Sequence, residues 1–298
     1  MRDLHREITD KILAQLKTGV APWRKPWSES RTADGVMPFN ATSGRAYSGV
    51  NVLLLWSAAQ ANGWGPRWLT FKQAKEAGGT VRGGQHGETV IFVKRMIVKD
   101  KDDKTKTKTI GFLRAYTVFN VAQCDGLPDR VMGVTAPVVL NKNERDATVE
   151  EFVEATKIRR VEGGAQACYS PKLDVINIPR IEAFKSSDAY YSTLSHEMGH
   201  ATGHESRLNR SLKGRFGDRE YAAEELIAEL TSAFVCAEFG IDMGDAPAAY
   251  VDNWVSLLEE KDFAIVTAAA AASKAVEWMR GQVSAEDADE GEELSVAA

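Results

Sequence analysis

Leu4, Ile8, Ile12 and Leu16 recur every four residues in an otherwise polar segment, and Gly19 follows. That period lines four side chains along one stripe and predicts an amphipathic helix with a glycine stop. The apolar run Val52–Ala61 predicts a second helix, and Phe71–Ala77 a short one. Val90–Val98 and Ile110–Val118 read as strands flanking the polar stretch KDKDDKTKTKT, the pattern of a hairpin with an exposed tip. Farther along, Asn143–Lys157, Ser187–Gly203, Tyr221–Phe239 and a region from Ala246 to Arg280 read as helices. Leu173–Ile178 reads as a strand. Gln123–Asn143 lacks clear periodicity and contains DGLPDR, so the chain is expected to cross between domains there. No internal repeat is present.

The element order predicts an α+β protein of two domains: residues 1–130 of mixed elements, a linker over 131–143, and a mainly helical domain over 144–282. Residues 283–298, acidic and without aromatics, predict a disordered tail. Charge reinforces the division. Residues 1–130 hold 21 Lys+Arg against 12 Asp+Glu, a net of +9, whereas residues 131–298 hold 16 against 30, a net of −14. A reversal of that kind suggests different partners for the two halves, with nucleic acid the question for the basic one. Cys124, Cys168 and Cys236 are odd in number and form no C-x-x-C pair, which argues against a disulfide framework and a cysteine zinc site. The opening MRDLHREITDKILAQL is not patterned as a secretory signal, and Ala264–Ala272, the longest apolar stretch, is too short for a bilayer. A cytoplasmic location and no membrane partner are expected.

The chemistry concentrates in LSHEMGHATGHESRL. On a helix His196 and His200, four apart, share a face and can converge on one cation. Glu197 then stands where it can take a proton from a water held at that cation. Three of the five histidines fall within these nine residues, which disfavours a chance match. A catalytic zinc wants three protein ligands and an open position. His204 does not fit the metzincin pattern, which needs a histidine where Ser206 stands, and is expected to support the site instead of ligating. Downstream, AAEELIAEL places Glu225 and Glu229 on one helical face, resembling the gluzincin arrangement. Glu225 is assigned as third ligand and Glu229 as the carboxylate that orients a ligand imidazole; Glu224 lies about a hundred degrees off that face and is the weaker choice. The expected cofactor is Zn²⁺ or another divalent ion such as Mn²⁺. Leu173–Ile178 reads equally as an edge strand that pairs with an extended peptide or as an ordinary core strand. Tyr190, Tyr191 and Tyr221 are all available to stabilise an oxyanion, and the sequence does not choose among them.

In the basic half, five of seven tryptophans lie within residues 23–68, and Trp23-Arg24-Lys25-Pro26-Trp27 interleaves indoles with cations. Single-stranded nucleic acid needs aromatic faces for bases and cations for phosphates. An aromatic core with a basic surface produces the same composition, and Trp56, at helical spacing with Val52, belongs there.

Taken together, PWRKPW, PFNATSGRAYSGVN, WLTFKQAKEAGG and GGQHGETVIFVKR, followed by LDVINIP, YYSTLSHEMGHATGHESRLNR, GRFGDREYAAEELIAEL and FVCAEFGI, resemble ArdC-type antirestriction proteins. Those proteins are related to the N-terminal region of TraC-type plasmid primases. The resemblance covers nearly the whole chain apart from the tail. It implies an α+β single-strand-binding domain followed by a mainly helical zincin-like metallopeptidase domain, and protection of incoming plasmid DNA from type I restriction during conjugation. Carried onto this sequence, it implies DNA contacts at Trp23, Arg24, Lys25, Trp27, Asn40, Tyr47 and Asn51, then at Trp68, Phe71, Lys72 and Lys75. Two functions compete. One is a peptidase recruited by single-stranded DNA to a host restriction protein or another DNA-bound protein, the DNA raising local substrate concentration. The other is a DNA-coating protein whose metal site is structural. The presence of Glu197 favours the first, because a structural site needs no base. A metal-dependent nuclease fits the ligand set less well, since it calls for a two-metal carboxylate cluster.

Overall fold

The computed structural model describes residues 3–19, 21–24, 36–99, 107–133, 142–210, 212, 219–244, 248–261 and 263–287. In the first half the chain forms α1 (Leu4–Leu16), β1 (Phe39–Asn40), α2 (Val50–Asn62), β2 (Arg67–Thr70), α3 (Phe71–Glu76), β3 (Thr80–Val81), β4 (Glu88–Lys99), β5 (Thr107–Asn120), β6 (Cys124–Asp125) and α4 (Asp129–Met132). The second half forms α5 (Lys142–Ala155), β7 (Arg160–Glu162), β8 (Cys168–Ser170), β9 (Val175–Ile178), α6 (Ser187–Ala201), α7 (Arg219–Phe239), α8 (Ala248–Glu260) and α9 (Ala264–Asp287). The expected mixture of helices and sheets is present.

Local chemistry sets several of these boundaries. Asp3 caps α1, its carboxylate accepting from the backbone N–H groups of His5 and Arg6. Ile8, Ile12 and Leu16 are buried along the stripe that the periodicity predicts. At α3, Thr70 and Gln73 close a reciprocal capping box. β4 and β5 pair antiparallel from Glu88↔Val118 to Lys99↔Thr107, so the strands extend into both ends of the predicted hairpin tip. Residues 100–106 of that tip lie outside the described residues.

The larger sheet has the order β1-β2-β5-β4, with β4 at its edge. Asn51 on α2 caps part of that edge: its amide donates to the Ile91 carbonyl and accepts from the Ile91 N–H, each at 2.8 Å. In the second half the sheet order is β7-β9-β8. β9 therefore lies between two partners, parallel to β7 and antiparallel to β8, and the edge-strand reading of Leu173–Ile178 is corrected. The edge that faces α6 is β8. The helical region read over Ala246–Arg280 consists of two helices, and α9 runs through Asp287, into the stretch read as tail. Residues 134–141 of the expected linker and 288–298 of the tail lie outside the described residues.

One apolar core joins the halves, running from Ile8, Trp23 and Trp56 to Leu194, Phe234, Trp254 and Met279. Trp23 packs edge-on against Trp254 at 5.4 Å, and Trp56 against Phe234 at 5.8 Å. The basic half is thus anchored directly on the helices behind the H-E-x-x-H segment. None of the helices formed by the described residues is long and apolar enough to cross a membrane.

Candidate metal centre

α6 begins where the Ser186 hydroxyl accepts from the Ala189 N–H, and it carries His196, Glu197 and His200. It lies tightly on α7. A Cβ at Gly199 would come within 2.9 Å of the Ala228 Cα and 3.1 Å of its carbonyl oxygen, so a glycine is what allows this approach. The approach brings Glu225 on α7 under both imidazoles. His196 Nε2 lies 3.5 Å from one Glu225 oxygen and His200 Nε2 3.4 Å from the other. One ligand atom from each of the three residues falls within 4.8 Å of the others. Two neutral imidazole nitrogens and one carboxylate oxygen, with further coordination left open, suit zinc or manganese. The residues present therefore fit the cation that the motif implies.

The reverse sides of the imidazoles are also organised. His196 Nδ1 faces Glu229 Oε2 at 3.9 Å, and His200 Nδ1 faces Glu224 Oε1 at 3.4 Å. Each carboxylate is clamped by an arginine. Arg210 donates to both oxygens of Glu224, at 3.1 and 2.8 Å. Arg24 donates to both oxygens of Glu229, at 2.5 and 2.8 Å, and Trp23 Nε1 adds a third donor at 3.1 Å. Burial works against charge on His200, but its hydrogen bonds to Glu224 and Glu225 outweigh that and raise its pKa to about 9. Burial likewise opposes ionisation of Glu225, yet the two histidines hold its carboxyl well below the usual range. Glu224 is also lowered, burial being outweighed by His200 and Arg210.

Glu197 is buried, and its Oε2 accepts the Tyr169 N–H of β8 at 2.7 Å, which fixes the carboxylate beside the histidines. The site opens into a cleft of about 290 Å³, bordered by Cys168 and Tyr169 on β8, by Tyr221 on α7 and by Tyr250 on α8. Of the three tyrosines considered, Tyr221 lines this cleft. Tyr190 is buried against Glu162 and Tyr191 against Glu150. Tyr250 was not anticipated. No local spacing announces it, because α8 lies far along the chain from the motif. The same applies to the Glu224–Arg210 and Glu229–Arg24 clamps. His204 does not support the centre as expected: its Nδ1 pairs with Ser206 in the turn after α6. A cation in the triad would act as a Lewis acid on a water or carbonyl oxygen. Around it Glu197 is placed to accept a proton, and Tyr221 and Tyr250 line the cleft from α7 and α8.

The structure redistributes the residues expected to touch DNA. Trp23 and Trp68 are fully buried, with no face for a base, and Tyr47 and Asn51 are buried in the core. Arg24 is committed to Glu229. Asn40 organises a turn through Thr42 and Ser43 and is bonded to Gln73. These six are corrected to structural roles, because packing or internal hydrogen bonds occupy the groups that DNA would need. Phe71, Lys72 and Lys75 remain exposed. Lys25 and Trp27 lie outside the described residues.

A helix bearing H-E-x-x-H, packed on a second helix that supplies a glutamate beside a short mixed sheet, defines the class as a zincin-like metal-centre domain joined to an α+β N-terminal half. Residues 147–271 match the family model described as zincin-like metallopeptidase, and residues 2–119 match that of the N-terminal domain of anti-restriction factor ArdC. The chain belongs to the ArdC antirestriction family. It is 37% identical over 294 residues to protein y4eC of Sinorhizobium fredii, covering 95% of this chain and 93% of that one. It is 36% identical over 295 residues to the DNA primase TraC of Escherichia coli, covering 92% of this chain but 26% of the primase. The crystal structure of the ArdC protein from plasmid R388, metal-free, superposes with a TM-score of 0.79 at 37% identity, covering 95% of this chain and 99% of that one. The Mn(II)-bound form gives 0.78 at 35% identity, with 95% and 98% covered.

Proposed function

We propose that this protein binds single-stranded DNA through its N-terminal half, and that its C-terminal half is a divalent-metal-dependent peptidase which protects entering plasmid DNA from type I restriction during conjugation. The observation that carries the peptidase reading is Glu197. It lies beside the convergent His196, His200 and Glu225, held by a backbone N–H and open to a cleft edged by β8. A purely structural site has no use for that carboxylate. Manganese is a reasonable occupant, since the similar R388 protein has been crystallised with Mn(II). Single-strand binding is supported by the basic balance of residues 1–130 and by the match to the TraC primase, a protein of DNA metabolism. The test is plasmid establishment in a type I restricting recipient, comparing wild type with Glu197→Ala at equal expression. Protection by the wild type alone supports a hydrolytic role. Equal protection by both overturns it and leaves DNA binding as the activity.

A further inference from the structure

We propose that single-stranded DNA lies on the β4–β5 ribbon over the open part of the face that carries Phe92, Arg114 and Tyr116, stacking bases on the two rings and placing a phosphate at Arg114. This rests on the single-strand binding proposed above and gives it a location.

Residues directly opposite in an antiparallel pair share a face, and alternate residues along a strand return to it. The register pairs Phe92 with Arg114, Val90 with Tyr116 and Glu88 with Val118, so these six positions form one face. Val90 and Val118 are buried at 0% and 2%, whereas Phe92 and Tyr116 are each 45% exposed. Arg114 is exposed, directly opposite Phe92 and two residues along the strand from Tyr116. The two rings meet edge to face at 5.5 Å and 72°, a contact that fixes their orientation and leaves nearly half of each open to solvent. Among the described residues this is the one contact between two exposed aromatic rings.

Charge points to the occupant. Over Glu88–Lys99 and Thr107–Asn120 the ribbon carries Lys94, Arg95, Lys99, Lys108 and Arg114 against one acid, Glu88. That acid is already paired with Lys11 at 2.5 Å. Residues 100–106 add three lysines and three aspartates, a balanced tip. An apolar protein partner would not select this excess of cations. Bases need open aromatic faces, and base-paired DNA offers none of its own for stacking, so open rings beside cations select a single strand. Two of the indoles first expected to stack, Trp23 and Trp68, are buried, whereas the ribbon presents two open rings in contact.

The experiment measures binding of a labelled oligothymidylate to the full-length protein by fluorescence anisotropy at two salt concentrations. Wild type, Phe92→Ala/Tyr116→Ala, Arg114→Ala and Tyr116→Phe are compared, with melting temperature and metal content checked for each. The double variant is expected to lose roughly ten- to a hundredfold in affinity. Tyr116→Phe should keep wild-type affinity, and Arg114→Ala should flatten the log–log salt slope by about 0.7. In parallel, an iodouracil-substituted strand is photocrosslinked to the wild type and the adduct mapped; attachment within β4 or β5 supports the site. Wild-type binding retained in a folded double variant, or a crosslink mapped to another element, overturns the ribbon and leaves single-strand binding intact. Duplex bound as tightly as single strand overturns the stacking argument. Absence of wild-type binding overturns the underlying reading and the ribbon with it.

Discussion

Replacing Arg24 by alanine separates two readings of the N-terminal PWRKPW segment. Arg24 forms a fork on Glu229 at 2.5 and 2.8 Å, with the two side chains 15% and 3% exposed. Removing one member of a buried ion pair costs about 3–5 kcal/mol, because the partner charge stays behind uncompensated. Trp23 Nε1 still donates to Glu229, which places the expected loss near about 3 kcal/mol. In a protein of this size that lowers the melting temperature by roughly 5 °C. Glu229 faces His196 Nδ1 at 3.9 Å, so a loosened carboxylate also releases a ligand imidazole. Loss of such an outer partner weakens metal binding by about 10- to 100-fold, and the length of this contact favours the lower end. Differential scanning fluorimetry gives the first quantity and titration calorimetry with Mn²⁺ the second. Arg24→Lys, which keeps charge but not the fork, should recover part of both. Wild-type melting and metal affinity in Arg24→Ala, with single-strand binding lost instead, would refute the reasoning and return Arg24 to the DNA contacts.

Two other substitutions follow from the same geometry. Glu225→Ala should abolish detectable Mn²⁺ binding, since both Nε2 atoms converge on this carboxylate, whereas Glu224→Ala should retain it at reduced affinity; the opposite order in calorimetry would move the ligand. Gly199→Ala should destabilise the fold by about 1–3 kcal/mol and weaken metal binding as α6 is pushed from Ala228; an unchanged melting temperature would show that the helices accommodate the methyl group.

Much of this was legible locally. Helical period exposed α1, α6 and α7, and the four-residue spacing within LSHEMGHA and EELIAEL marked the groups that converge. Such spacing reports which residues share a helical face, so it pairs His196 with His200 and Glu225 with Glu229, and the gluzincin resemblance joins Glu225 to the histidines. What spacing does not report is which distant element covers a face. Trp23-Arg24 has the composition of a nucleic-acid contact and yet is buried against Glu229, a partner 205 residues away from Arg24. Asn51 reads as a polar residue open to a ligand, but its amide completes the β4 edge at Ile91. The sequence leaves β9 open as edge or core strand because β7 and β8 are each three residues long and carry little periodic signal. The open ring pair on the β4–β5 ribbon appears only once register sets Phe92 and Tyr116 on a common face.

Proposed hydrolysis at the metal centre, with Glu197 as the base, would leave new protein N-termini behind. Extract from restricting recipient cells would be incubated with Mn²⁺- or Zn²⁺-loaded protein and single-stranded DNA, and new N-termini identified by mass spectrometry. The account predicts cleavage products with the wild type that vanish with chelator and with Glu197→Gln, although that variant holds its metal. Products that persist in metal-loaded Glu197→Gln, or no products from a fully loaded wild type, would contradict it.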